Sequence, residues 1–297
     1  MAKAPVIGRF APSPTGDLHF GSLLAAVGSY LEVKSVNGKC LLRIEDIDPP
    51  REIQGSAVRI IADLGRLGMI YNGPILFQSG RSKAYQVALD RLLKLGLAYP
   101  CACTRKDIPA DGKYPGTCAN GIAKGKKARS IRFRVGNSSF DFVDKLQGRI
   151  VGRPADQTGD FIIRRADGLF AYQLAVVVDD AYQGVNQVVR GSDLLDSTGR
   201  QICLQNALGL ETPTYMHLPV AVIADGRKLS KRLGSDPVKD QNAAHAVESA
   251  LRFLGQKPPQ DKPLETLWQW AIEHWNSDLV PRHKTIMLDS INQPGRS

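Results

Sequence analysis

Residues 6–46, VIGRFAPSPTGDLHFGSLLAAVGSYLEVKSVNGKCLLRIED, decide the fold. VIGRFA (6–11) reads as a short buried strand, and a loop rich in proline and glycine follows it. From about Leu18 to Val36 the apolar residues recur with a helical period, and Asn37-Gly38 forms a C-terminal stop. KCLLRIED (39–46) predicts a second strand, and residues 53–68 a second helix with Leu64, Leu67 and Gly68 near its end. Strand, helix, strand and helix in that order predict a Rossmann-like, doubly wound parallel α/β sheet. Residues 81–97 then predict a strongly periodic amphipathic helix.

Residues 98–165 have another character: rich in Gly, Pro, Lys and Arg, without a long helix, and carrying Cys101, Cys103 and Cys118. They are read as an inserted lobe that splits the sheet domain into a first half (1–97) and a second half (166–239). Apolar periodicity returns over 170–209, and HLPVAVIADGRKLSKRLGS (217–235) predicts a strand, a turn and a loop. A small, mostly helical region (240–297) closes the chain; its Trp268, Trp270 and Trp275 are expected to be packing anchors.

The chain has 297 residues, enough for two or three domains, and 43% of them are hydrophobic. Its longest apolar runs, such as LAVVV (174–178), fall far short of the about 20 residues that span a bilayer. The N-terminus carries one lysine and no apolar signal region, so the protein is expected to be cytoplasmic, monomeric and without a membrane partner. Lys and Arg outnumber Asp and Glu by 39 to 29, a net charge of +10 that favours polyanionic partners. Cys40 and Cys203 stand alone in apolar contexts and are expected to be small buried hydrophobes.

A strand that ends in a Gly/Pro turn before a helix presents backbone N–H groups and the positive end of a helix dipole, which is an anion site. His19 is expected in the first turn of that helix, within reach of a phosphate; a tight βα turn with a capping histidine fits the same residues. DGRKLSKRLG (225–234) puts Lys228, Ser230 and Lys231 on a Gly-flanked loop suited to nucleotide phosphates, or to plain solvation. Three cysteines within eighteen residues fit either free thiols or a zinc site that still needs a fourth ligand. Lys124, Lys126, Lys127, Arg129, Arg132 and Arg134 fit either a solvated loop and edge strand or a phosphate-contacting surface.

LHFG (18–21) and KLSKR (228–232) resemble the HIGH and KMSKS elements of class I aminoacyl-tRNA synthetases. RFAPSPTGDLHFGSL, LLRIEDID and VVRGSDLLDSTGRQ together resemble the glutamyl-tRNA synthetase group, over residues 9 to 232. Two positions depart from the motifs: Ser22 replaces the last histidine of the first, and Arg232 the last serine of the second. Only residues 233–297 follow Arg232, where full-length members carry a large anticodon-binding domain, so the chain resembles the group's shortened paralogues.

The resemblance implies an enzyme that activates L-glutamate with ATP, without needing tRNA, and attaches it to queuosine in the anticodon of tRNA(Asp). A shortened synthetase charging a tRNA 3′ end and a non-catalytic tRNA-binding paralogue are the alternatives. Glutamate carries two carboxylates and an ammonium, so its pocket needs guanidiniums and a carboxylate; Arg9, Arg190 and Glu45 match that set. By resemblance Ala11 and Ser13 contact the ammonium and Tyr172 lines the pocket. Thr15, Gly16, His19, Gly21, Lys228, Ser230 and Lys231 are the ATP candidates, with His19 and Lys231 as the catalytic pair and Mg²⁺ accompanying ATP. The resemblance also makes Tyr114 the fourth ligand of a structural Zn²⁺ beside Cys101, Cys103 and Cys118.

Overall fold

The computed structural model describes residues 4–223, 238 and 241–287. The chain runs β1 (Ile7–Phe10), α1 (Phe20–Lys34), β2 (Lys39–Ile44), α2 (Ser56–Arg66), β3 (Leu76–Phe77) and α3 (Ser82–Lys94). Next come β4 (Ala98–Cys101), β5 (Ser130–Phe133), β6 (Phe140–Asp144), β7 (Gly148–Gly152), α4 (Pro154–Gln157) and β8 (Phe161–Arg164). Then follow α5 (Tyr172–Tyr182), β9 (Gln187–Gly191), α6 (Leu195–Leu208), β10 (Thr214–Leu218), β11 (Val220–Val222), α7 (Ala243–Phe253), α8 (Leu264–His274) and β12 (Thr285–Met287).

Seven strands form the main sheet in the order β3-β2-β1-β9-β10-β6-β7. All neighbours pair in parallel except β6 and β7, an antiparallel hairpin at one edge. The chain walks outward from β1 to β3, then returns to the other side of β1 with β9. The strand order therefore reverses between β1 and β9, and the carboxyl ends of these two strands flank the crevice where an open α/β sheet binds ligands.

Helix α1 is buried without interruption from Ala26 to Val33, because the sheet covers one side and α7 and α8 the other. A helix apolar on all sides is stable only when sandwiched in this way. Glu32 lies within that sandwich and is matched by Lys145 Nζ at 2.5 Å, Gln187 Nε2 at 3.0 Å and Trp275 Nε1 at 2.7 Å. Trp268 donates its Nε1–H to Leu67 O at 2.6 Å, so two of the three tryptophans are packing anchors that tie the C-terminal helices to the sheet domain. Cys40 and Cys203 are buried, as expected.

The 98–165 stretch divides between two sheets. β4, β5 and β8 make a small three-stranded antiparallel sheet, while β6–β7 joins the main sheet through a bridge from Asp144 to Tyr215. Residues 174–178, apolar and rich in valine, form the middle of helix α5 and pack against α3 and α6. Burial inside a helical layer overrides the β preference of valine there.

Candidate active site

A cleft of about 890 Å³ opens at the carboxyl ends of β1 and β9. Arg9, Ala11, Ser13, Thr15, Gly16, His19, Gly21, Glu45, Tyr172 and Arg190 all line it. Lys228, Ser230, Lys231 and Arg232 lie outside the described residues.

The loop after β1 is pinned at several points. Glu45 N–H bonds to Pro12 O and Ile53 N–H to Pro14 O, each at 3.0 Å. Gly16 sits at φ 147°, a conformation that side-chain-bearing residues rarely adopt, and donates its N–H to Ser56 Oγ at 3.1 Å. Thr15 N–H is bonded to Ser13 O at 2.8 Å. The N–H groups of Thr15 and Gly16 therefore hold the loop's shape and point into the protein's own hydrogen bonds. His19 is the N-cap of α1 rather than a first-turn residue. Its Nδ1 accepts Ser22 N–H at 3.3 Å, and its Nε2 lies 3.1 Å from Ser22 Oγ. A neutral ring that accepts at Nδ1 carries its proton at Nε2.

Arg9 and Glu45 belong to a buried four-charge cluster. Asp180 Oδ1 lies 3.1 Å from Arg9 Nε and 2.7 Å from Arg43 Nη1, and Arg43 Nη2 lies 3.2 Å from Glu45 Oε1. Burial raises the Asp180 carboxyl, but Arg9 and Arg43 outweigh it and hold the group below the usual range. Burial raises Glu45 above its ordinary value, and Arg43 and Arg9 only partly offset it. Sequence reasoning missed Arg43 and Asp180. Their signal was a charge inside or just after an apolar run, in KCLLRI and LAVVVDD.

Arg190 is also buried, and neutral groups surround it. Its Nε–H reaches His217 Nε2 at 3.0 Å, Nη1 reaches Gln201 Oε1 at 2.8 Å and Tyr172 Oη at 3.2 Å, and Nη2 reaches Thr198 Oγ1 at 2.8 Å.

In the small sheet the sulfurs of Cys101, Cys103 and Cys118 lie within 4.8 Å of one another. Tyr114 Oη lies 3.4 Å from Cys101 Sγ and 3.7 Å from Cys103 Sγ, and accepts Cys118 N–H at 2.9 Å. Burial raises the Cys101 thiol, but bonds from Tyr114 and Arg132 outweigh it and bring it down to about 7. Three converging soft donors, one of them already near ionisation at neutral pH, fit a divalent ion such as zinc.

The basic run divides. Lys124, Lys126, Lys127 and Arg129 are exposed. Arg132 is buried, stacks on the Tyr114 ring at 3.6 Å and donates to Cys101 Sγ at 3.3 Å. Arg134 bonds to Ala119 O at 2.7 Å and covers the Tyr99 ring. These two arginines brace the small sheet.

Residues 5–254 match the family described as tRNA synthetases class I (E and Q), catalytic domain. A glutamyl-Q tRNA(Asp) synthetase of Dechloromonas aromatica is 51% identical, over 96% of this chain and 99% of its own length. The chain belongs to the glutamyl-Q tRNA(Asp) synthetase family. Another glutamyl-Q tRNA(Asp) synthetase, from Serratia proteamaculans, is 47% identical over 97% of this chain and 96% of its own length. The fold is shared with a glutamate-tRNA synthetase of Elizabethkingia anophelis, at a TM-score of 0.81 and 24% identity, over 97% of this chain and 69% of that one. No helix among the described residues is long and apolar enough to cross a membrane.

Proposed function

We propose that the chain converts L-glutamate and ATP to glutamyl-adenylate without tRNA, then transfers the glutamyl group to the cyclopentenediol of queuosine at the wobble position of tRNA(Asp). The observation that carries this is the convergence of Arg9, Glu45, Tyr172 and Arg190 with the His19 helix start in one cleft at the strand-order reversal. The near-complete match to glutamyl-Q tRNA(Asp) synthetases supports the choice of acceptor.

Glutamate is ionised at neutral pH, so its α-carboxylate needs no general base to attack the α-phosphorus. The new O–P bond forms as the bond to the bridging oxygen breaks, and pyrophosphate leaves with that electron pair. Catalysis is then positioning and charge stabilisation. Arg9 and Arg190 bind the substrate carboxylates, and the buried Glu45 carboxylate takes the ammonium. Ala11 and Ser13 complete the ammonium site. His19, Gly21 and the start of α1, with Lys228, Ser230 and Lys231, hold the ATP phosphates, with Thr15 and Gly16 shaping the loop; Mg²⁺ would offset phosphate charge. In the second step a queuosine hydroxyl oxygen attacks the acyl carbon, AMP leaves with the bonding pair, and the hydroxyl proton passes to the phosphate or solvent.

Cys101, Cys103, Cys118 and Tyr114 would hold a structural zinc that crosslinks the small sheet. Exposed Lys124, Lys126, Lys127 and Arg129 would meet tRNA phosphates.

Glutamate-dependent ATP–pyrophosphate exchange measured without tRNA tests the first step; no exchange would refute the enzyme assignment. Glutamylation of queuosine-containing tRNA(Asp), and not of the unmodified transcript, tests the second. Charging of a tRNA 3′ end instead would identify a shortened glutamyl-tRNA synthetase.

A further inference from the structure

Arg190 and Arg9 face the same cleft but are balanced in different ways. Arg9 has a carboxylate against it, Asp180 at 3.1 Å. Arg190, only 5% exposed, has no ion pair among the described residues. The carboxylate nearest to it in the bonding network stands behind an imidazole: His217 Nδ1 lies 2.6 Å from Asp144 Oδ2, and His217 Nε2 accepts Arg190 Nε–H at 3.0 Å. Asp144 and His217 are both completely or almost completely buried.

The two neighbours define the ring's protonation. A carboxylate only accepts, so Nδ1 carries the hydrogen; a guanidinium only donates, so Nε2 presents its lone pair. The imidazole is neutral, and burial, with Arg190 and Arg9 nearby, favours that form over the pull of Asp144. Asp144 is itself locked, its Oδ1 accepting N–H from Leu146 at 3.0 Å, Gln147 at 2.9 Å and His217 at 3.2 Å.

We propose that Asp144 and His217 are positioning residues for glutamate selection: through the Nδ1–H tautomer they hold the Arg190 guanidinium in place while leaving its charge uncancelled, so that the substrate carboxylate becomes its counterion. Asp144 ends β6, so the hairpin from the 98–165 stretch contributes to the pocket without touching the ligand. The inference deepens the glutamate-site assignment above and rests on Arg190 being part of it.

Asp144→Asn tests it with almost no change of shape. The three backbone donors on Oδ1 force the amide oxygen to that side, so the amide NH₂ faces His217 Nδ1. The ring must then accept at Nδ1 and carry its proton at Nε2, directly against Arg190 Nε–H. In exchange assays the KM for glutamate should rise about tenfold to a hundredfold while the KM for ATP stays within about twofold, the range that corresponds to one buried donor left without an acceptor. His217→Gln, whose amide oxygen can accept from Arg190, should recover much of the affinity, and His217→Leu should not. Equal losses in both His217 variants, or an unchanged glutamate KM in Asp144→Asn, would overturn the proposal. If Asp144→Asn fails to fold, nitrogen–proton NMR of the wild-type imidazole decides: a proton on Nδ1 alone supports the relay, and one on Nε2 refutes it. Arg190→Ala with an unchanged glutamate KM would instead remove the pocket assignment, whatever the tautomer.

Discussion

Replacing Asp180 by Asn removes one charge and almost no volume from the centre of the buried cluster. In the intact protein Arg9 and Arg43 are offset by Asp180 and Glu45, two charges of each sign. In the variant Glu45 alone opposes two guanidiniums, and Arg9 loses its carboxylate partner. The Asp180 side chain is only 8% exposed, so water screens little of the imbalance. Removing one partner of a buried ion pair costs about 3–5 kcal/mol, a large share of the roughly 5–15 kcal/mol that holds a typical domain together. Urea denaturation at neutral pH should register that loss, and the glutamate KM should rise because Arg9 is no longer anchored. The pH dependence carries the sign. The Asp180 pKa is lower in the folded state than in the unfolded chain, so its contribution is full above the unfolded value, about 3.9, and disappears as pH falls through the folded value. The stability gap between wild type and variant should therefore be widest at neutral pH and close on acidification. A gap below about 1 kcal/mol, typical of an exposed pair, or one independent of pH, would refute the description of this cluster as a coupled, buried support for Arg9.

Other measurements probe the remaining parts. Metal analysis should find about one zinc per chain, lost together with thermal stability in Cys101→Ser. Because burial raises Glu45, it protonates at higher pH than an ordinary glutamate, so the glutamate KM should climb as the solution turns acidic and flatten in Glu45→Gln. Gly199→Ala should destabilise although alanine favours helices by about 1 kcal/mol: its Cβ would meet Phe140 Cε1 at 2.3 Å, and overpacking of that kind costs about 1–3 kcal/mol. A more stable variant would mean that the β6–α6 contact yields easily.

Local patterning was legible wherever one period dominated. The strand–loop–helix–strand of residues 6–46, the amphipathic helix near 81–97 and the anchoring tryptophans are all present. Boundaries moved where a cap decided them, as at His19, which takes the N-cap position because its ring accepts Ser22 N–H. Arg9, Ala11, Ser13, Glu45 and Arg190 sit on strand ends or the loops just after them, a local feature, whereas Tyr172 at the start of α5 and Gly21 within α1 reach the cleft from helix starts.

By itself the sequence determined the alternation of strands and helices that makes a parallel sheet and the residue types on the strand ends and βα turns, since periods and turns are local properties of the chain. Only the tertiary structure decided how those residues are charged and held. Asp180 lies 171 residues from Arg9 and Asp144 lies 73 from His217. Whether a guanidinium is cancelled by a buried carboxylate or left for a substrate depends on such distant neighbours in a medium too dry to screen them, and no local pattern encodes it.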